Sequence, residues 1–294
     1  MADHRRALAV ALLLGLACTL AGAEDPRESA LVTLRSAGLT IELQQAYGWT
    51  IQSLSYRGVP VITPTGACGT IACVPVAGGW VGSAHTAGGL ERVEAVSLSV
   101  DGQPVELTPG ESYSGDRIVL TKRSMLDKLR LDVTLTLTEG LLAERASLTA
   151  TEDVVVTTVY PFMYCITAQT TDWLAAPVEG EEQSGTFSAA NELTWHDDWA
   201  WTAAWIPDRG TGVAVRHLAY AQGARTLTGY WDQERYHKLY VRWEAGQERW
   251  PEGFTVTGEV ALRCFEAPAA GWREMARKVA SEMVAEWGSP RSPI

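Results

Sequence analysis

Leu129-Arg130-Leu131-Asp132-Val133-Thr134-Leu135-Thr136-Leu137 places an apolar side chain at every second position. In an extended chain successive side chains point to opposite faces, so this stretch predicts a strand with one face in a core and one toward water. The pattern recurs on both sides of it. Residues 39–43, 51–56 and 93–100 alternate in the same way, and 105–107, 141–150, 154–160, 212–219 and 254–265 are further strand candidates. Asp101-Gly102, directly after one of these runs, has the residue types of a tight type I′ hairpin turn. Ten or more strands with this patterning define an all-β protein, a large antiparallel β-sandwich.

One segment departs from the two-residue period. Trp272, Met275, Ala276, Val279, Met283 and Trp287 recur at spacings of three and four between Gly271 and Gly288, which predicts an amphipathic helix closing the chain. Its polar face is not strongly basic, so packing on the sandwich fits better than lying on a membrane.

The start of the chain reads as an export signal. His4, Arg5 and Arg6 precede the apolar run 8–20, and Ala21-Gly22-Ala23 forms a small-residue cleavage site, with processing expected before Glu24. The run is short for a membrane span, and Cys18 lacks the upstream leucine of a lipoprotein signal. Residues 24–294 then form one expected domain, exported to the periplasm or the extracellular space. Loss of residues 1–23 leaves 22 basic against 34 acidic residues, a net charge of −12. A field of that sign argues against a nucleic-acid partner and favours neutral over long anionic glycans, unless a local basic patch such as Lys238 with Arg242 overrides it. Neither a metal nor a cofactor is implied by any motif, and the oligomeric state is open.

Four cysteines follow the signal: Cys68, Cys73, Cys165 and Cys264. Export permits a Cys68–Cys73 bridge across a short loop and Cys165 with Cys264, although three pairings are possible.

Residues 193–250 hold seven of the twelve tryptophans, with polar groups between the rings. Aromatic faces pack on the C–H faces of sugars while carboxylates, imidazoles and guanidinium groups bond hydroxyls, so this mixture suits a carbohydrate cleft. Along 236–244, Tyr236, Lys238, Tyr240, Arg242 and Glu244 share one face and His237, Leu239, Val241 and Trp243 the other. The second face reads as core and His237 as a packed histidine. The first either lines a groove or is an open face with cross-strand ion pairs. Trp199, Trp201 and Trp205 would share a face of another strand, more suited to inter-sheet packing. Trp80, Trp199, Tyr230 and Trp231 complete the candidate sugar-binding set with Tyr236, Lys238, Tyr240 and Arg242.

For acid–base chemistry the natural proton donors are His85 and His196, and the natural acceptors Glu91, Asp198 and Glu244. His85 and Glu91 sit in the glycine-rich stretch 78–91, which reads as a loop with unusual backbone angles. That stretch lacks the context of a phosphate loop, and Ser83 lacks that of a nucleophile elbow.

Gly38-Leu39-Thr40-Ile41-Glu42-Leu43, followed by Gly48-Trp49-Thr50-Ile51-Gln52-Ser53-Leu54-Ser55-Tyr56-Arg57-Gly58, resembles the opening hairpin of galactose-mutarotase-like proteins. The resemblance implies a β-supersandwich, the fold of aldose epimerases and of several glycoside hydrolases, polysaccharide lyases and accessory domains. It carries over fold and sugar context, since the family's histidine and glutamate motifs have no counterpart here residue by residue. The expected function is an exported carbohydrate-active protein, either an acid–base enzyme (epimerase, hydrolase or lyase type) or a non-catalytic binding or scaffold protein. A protein-interaction module is the third reading.

Overall fold

The computed structural model describes residues 30–66, 68–83, 91–197, 199–222, 224–245 and 248–287, with backbone alone at 196, 197, 220, 222 and 287. Among these, two large sheets face each other. The first runs β17 (Glu192–Asp197), β20 (Ala224–Asp232), β21 (Tyr236–Ala245), β14 (Thr158–Thr167), β4 (Val59–Ile62) and β3 (Thr50–Tyr56). It continues through β2 (Leu39–Gln44) and β1 (Leu31–Ser36) to β9 (Ser112–Ser114), while β5 (Ile71–Val74) pairs with β14 and with β6 (Gly79–Gly82). The second runs β16 (Gln183–Thr186), β15 (Asp172–Pro177), β18 (Trp199–Ile206), β19 (Thr211–Gln222) and β23 (Thr255–Glu266). It ends with β12 (Leu141–Ala150), β11 (Leu129–Thr138), β10 (Arg117–Leu126), β7 (Arg92–Val100) and β8 (Gln103–Val105). The short pair β13 (Val154–Val155) and β22 (Arg249–Trp250) stands apart.

Alternation explains the layers. Leu129, Leu131, Val133, Leu135 and Leu137 are all buried, and they meet Leu34, Ile41, Leu54, Leu239 and Val241 of the facing sheet in one core. Asp101 and Gly102 turn β7 into β8 with φ of 50° and 80°, the positive values that the hairpin requires. The helix α1 (Trp272–Trp287) covers the outer side of the second sheet, where Trp272, Ala276, Val279, Ala280 and Met283 pack on Trp201, Trp205, Ala214, Ala261 and Phe265. Trp205 stacks on Trp272 at 5.8 Å with the rings 4° from parallel.

Two expectations change. Trp199, Trp201 and Trp205 do not share a face: Trp199 joins the inter-sheet core, whereas Trp201 and Trp205 lie under α1. The pairing of β15 with β18 slips between Ala176 and Pro177, opposite Trp201 and Trp199, and such an irregularity resets the two-residue alternation. The glycine-rich stretch is not all loop either, because Gly79–Gly82 forms β6 against β5. A Cβ on Gly82, whose φ is +146°, would lie 2.3 Å from the Thr70 carbonyl oxygen. Gly82→Ala is therefore expected to lower stability by about 1–3 kcal/mol. Urea unfolding checks this, and an unchanged midpoint would mean that the close approach is not essential.

Candidate functional site

The side of the first sheet that faces away from the core carries a cluster of rings. In β21, His237, Leu239, Val241 and Trp243 are buried toward the second sheet, as their alternation requires, so Lys238, Tyr240 and Arg242 fall on the outer side. Ladder register builds rows across that side. Trp195 pairs with Gly229, Gly229 with Tyr240, and Tyr240 with Met163; one row over, Trp231 pairs with Lys238, and Lys238 with Cys165.

Small residues shape the surface. A Cβ on Gly229 would fall 2.8 Å from the Trp195 ring, so this glycine lets the indole lie across β20 toward Tyr240 and Arg242. The β14–β21 ladder shifts between Val159 and Phe162, and Pro161, which has no N–H to give to a ladder, sits in the irregularity. The shift brings Tyr160 to the outer side while Phe162 remains in the core.

The result is a cluster of five rings linked through Tyr160 and Tyr240. Trp80 stacks on Tyr160 at 5.5 Å and Tyr160 on Trp195 at 5.9 Å, while Tyr240 lies 5.0 Å from Tyr160, 6.0 Å from Trp195 and 6.5 Å from Trp231. Trp80, Tyr160, Trp195 and Trp231 are half-buried, whereas Tyr240 is buried among them. Two cations complete the patch: Lys238 Nζ sits 5.0 Å from the Tyr240 ring centre and the Arg242 guanidinium 5.8 Å from that of Trp195. Burial raises the pKa of the Tyr240 and Tyr160 hydroxyls, which stay protonated donors. Tyr236 is half-buried beside Cys165 at one end. Such a patch can stack apolar sugar faces and donate hydrogen bonds to hydroxyls.

Of the expected sugar-binding residues, Trp80, Trp231, Tyr236, Lys238, Tyr240 and Arg242 come together here. Trp199 and Tyr230 do not. They line a cavity of about 250 Å³ at the edge of the sandwich, with Trp173, Phe187, Glu192 and Asp232. His237 is less passive than alternation suggested: its Nδ1 lies 2.8 Å from Asp232 Oδ1 and its ring stacks on Phe187. Burial pushes its pKa down and Asp232 opposes that shift. Tyr160 and Trp195 were absent from the expected set. Tyr160 lies far from the tryptophan-rich stretch and its face depends on the bulge, and the face of Trp195 requires a partner strand to be known.

Of the expected acid–base residues, Glu91 and Glu244 have described side chains, and they have separate partners. Glu244 is held by Arg242 at 2.8 Å and Arg225 at 3.6 Å, so its carboxylate is committed to two guanidinium groups. The Glu91 side chain is buried: Lys122 Nζ is 2.7 Å from it, Ser124 Oγ donates to it at 2.5 Å, and Ser83 Oγ is a further donor. Gly48 leaves room for it, since a Cβ there would fall 2.4 Å from Glu91 Oε2. Sequence reading missed this because Lys122 and Ser124 come from β10, far along the chain. His85 and Asp198 lie outside the described residues, as does the His196 side chain; the His196 backbone pairs with Thr228 in the β17–β20 ladder.

A second interior acid, Glu144, accepts a 2.6 Å hydrogen bond from the Tyr164 hydroxyl. Burial lifts its pKa to about 7, against the opposing effects of Tyr164 and Lys122. The folded state thus keeps this proton up to about pH 7 while the unfolded chain releases it near 4.5. Its stabilisation is complete below pH 4.5 and is lost as pH rises through 7, by about 3 kcal/mol in all. Buried His217, held near 4 by desolvation and Arg216, acts in the opposite sense, gaining stability as pH rises from 4 to 6.5. The test is therefore a difference: between pH 5 and 7.5 the wild type should lose stability relative to Glu144→Gln, read from urea midpoints. Parallel profiles would contradict the assignment.

No protein-family model and no curated protein sequence matches the chain. Solved structures do. A putative aldose 1-epimerase from Escherichia coli K12 is 15% identical, with a TM-score of 0.50 over 81% of this chain and 100% of that one. The Slr1438 protein from Synechocystis sp. PCC 6803 is 10% identical, with a TM-score of 0.52 over 82% and 98%. The alpha-N-acetylgalactosaminidase NagBb from Bifidobacterium bifidum is 10% identical, with a TM-score of 0.54 over 87% of this chain and 39% of that larger one. The fold is a galactose-mutarotase-like β-supersandwich.

Proposed function

We propose that this chain is an exported sugar- or glycan-binding protein whose ligand lies on the outer aromatic face of the first sheet. The observation that carries the reading is the five-ring cluster of Trp80, Tyr160, Trp195, Trp231 and Tyr240 flanked by Lys238 and Arg242. Half-buried rings beside cations, on a sheet face pointing away from the core, suit a ligand with apolar faces and many hydroxyls. The net acidic charge disfavours anionic glycans, while Lys238 and Arg242 beside the rings act locally in the opposite sense. Export rests on the residues 1–23 pattern. Affinity electrophoresis through gels of neutral and anionic polysaccharides tests the binding. Retardation in at least one neutral gel, lost in Trp231→Ala, is expected; equal mobility in every gel would remove the reading.

An acid–base enzyme acting on that sugar is the second reading. It is favoured by β17, which carries His196 and Asp197 on the strand that supplies Trp195. Proton NMR of reducing sugars and oligosaccharides separates the two. Anomer exchange or new product signals abolished by His196→Ala or His85→Ala would establish the enzyme, and binding without turnover would leave the first reading standing.

A further inference from the structure

The fold brings together a cysteine pair other than the two that spacing suggested. Cys73 lies in β5 of the first sheet and Cys264 in β23 of the second, and all four cysteines are thiols in this structure. Cys68 and Cys165, nearly a hundred residues apart, instead meet. Both are buried, and their side chains are hydrogen-bonded to each other. Backbone bonds hold the two segments together on either side of the thiols: Thr63 N–H donates to the Cys165 carbonyl at 2.8 Å, and Gly69 N–H to that of Met163 at 3.4 Å. Gly66 closes over the pair, since a Cβ there would fall 2.7 Å from Cys165 Sγ and 2.9 Å from the Tyr236 ring. Cys165 is the ladder partner of Lys238, so this junction lies directly beside the aromatic patch.

We propose that Cys68 and Cys165 form a disulfide in the exported protein, fastening the segment before β5 to β14 beside the ligand face, and that Cys73 and Cys264 stay reduced. The electron acceptor is a disulfide of the oxidising compartment. The Cys68 thiolate attacks one donor sulfur and expels a donor thiol; the Cys165 thiolate then attacks Cys68 Sγ and expels the second. Two thiols become one disulfide, and one donor disulfide becomes two thiols. The order of attack does not change the product, since the same disulfide results when Cys165 attacks the donor first. Both sulfurs are inaccessible in the finished fold, so the exchange takes place during folding, before the segment closes.

The test is a peptic map of the chain refolded with oxidised and reduced glutathione, alkylated in denaturant without reduction. The expected result is a cross-linked peptide pair joining Cys68 to Cys165, with Cys73 and Cys264 alkylated. Alkylation of all four cysteines, or a Cys68–Cys73 link, would overturn the proposal. The oxidised protein should also melt about 5–10 °C above its reduced form, a difference absent from Cys165→Ser. Because refolding does not depend on export, the outcomes separate. A bond that forms on refolding but is missing from protein collected outside the cell would count against export and leave the pairing intact.

Discussion

Replacing Lys122 with methionine is expected to destabilise the fold by about 3–5 kcal/mol, the largest stability effect foreseen here for a single substitution. Both Lys122 and Glu91 are almost wholly buried, with 3% and 2% of their side chains exposed. Methionine keeps most of the volume and removes the charge, so the Glu91 carboxylate would retain two serine donors and lose its counterion among the described residues. The Gly48 carbonyl, which accepts from Lys122 Nζ at 2.5 Å, would lose that donor as well. Chemical denaturation measures the loss. Adding Glu91→Gln to Lys122→Met should recover much of it, since the amide needs no counterion. A single-variant loss below about 1 kcal/mol would show that the ion pair is not a structural element, and would return Glu91 to the list of residues available for chemistry.

The second large effect concerns the ligand face. Trp195→Ala is expected to weaken sugar binding about tenfold or more, because it removes the ring that bridges Tyr160, Tyr240 and Arg242. Trp195 is half-buried and outside the inter-sheet core, so the melting temperature should move little. Trp199→Phe, in the edge cavity, is the matched control and should bind as the wild type does. Titration calorimetry with the best ligand from the gel survey reads both. The reverse order, with Trp199→Phe impaired and Trp195→Ala unaffected, would move the site to the cavity lined by Trp173, Phe187 and Tyr230.

The parts of this account that were legible in the sequence are those governed by local periodicity. β11 spans Leu129–Thr138 where alternation placed it, the helix begins at Trp272 after Gly271, and the two faces of β21 divide as 236–244 predicts. Even the unusual face of β21, with its rings and cations, was readable as a surface set apart from the core. What escaped depended on pairing between distant strands. The bulge at Pro161 decides which way Tyr160 points, and the slip opposite Ala176 and Pro177 separates Trp199 from Trp201. Neither irregularity has a local signature strong enough to override alternation. The partners of Glu91 were hidden for a related reason: its lysine is contributed by another strand. The cysteines follow the same rule, since the short Cys68–Cys73 spacing suggested a bridge while the fold brings Cys68 to Cys165.

The claim that the ligand rests on the outer face of the first sheet is tested most directly by following the tryptophan indole N–H signals in nitrogen-15 NMR spectra, assigned by single substitutions, during titration with a neutral sugar. The signals of Trp80, Trp195 and Trp231 should shift together and saturably, while those of Trp205, Trp250 and Trp272, buried elsewhere, stay fixed. Shifts confined to Trp173 and Trp199 would place the ligand in the edge cavity and contradict the account.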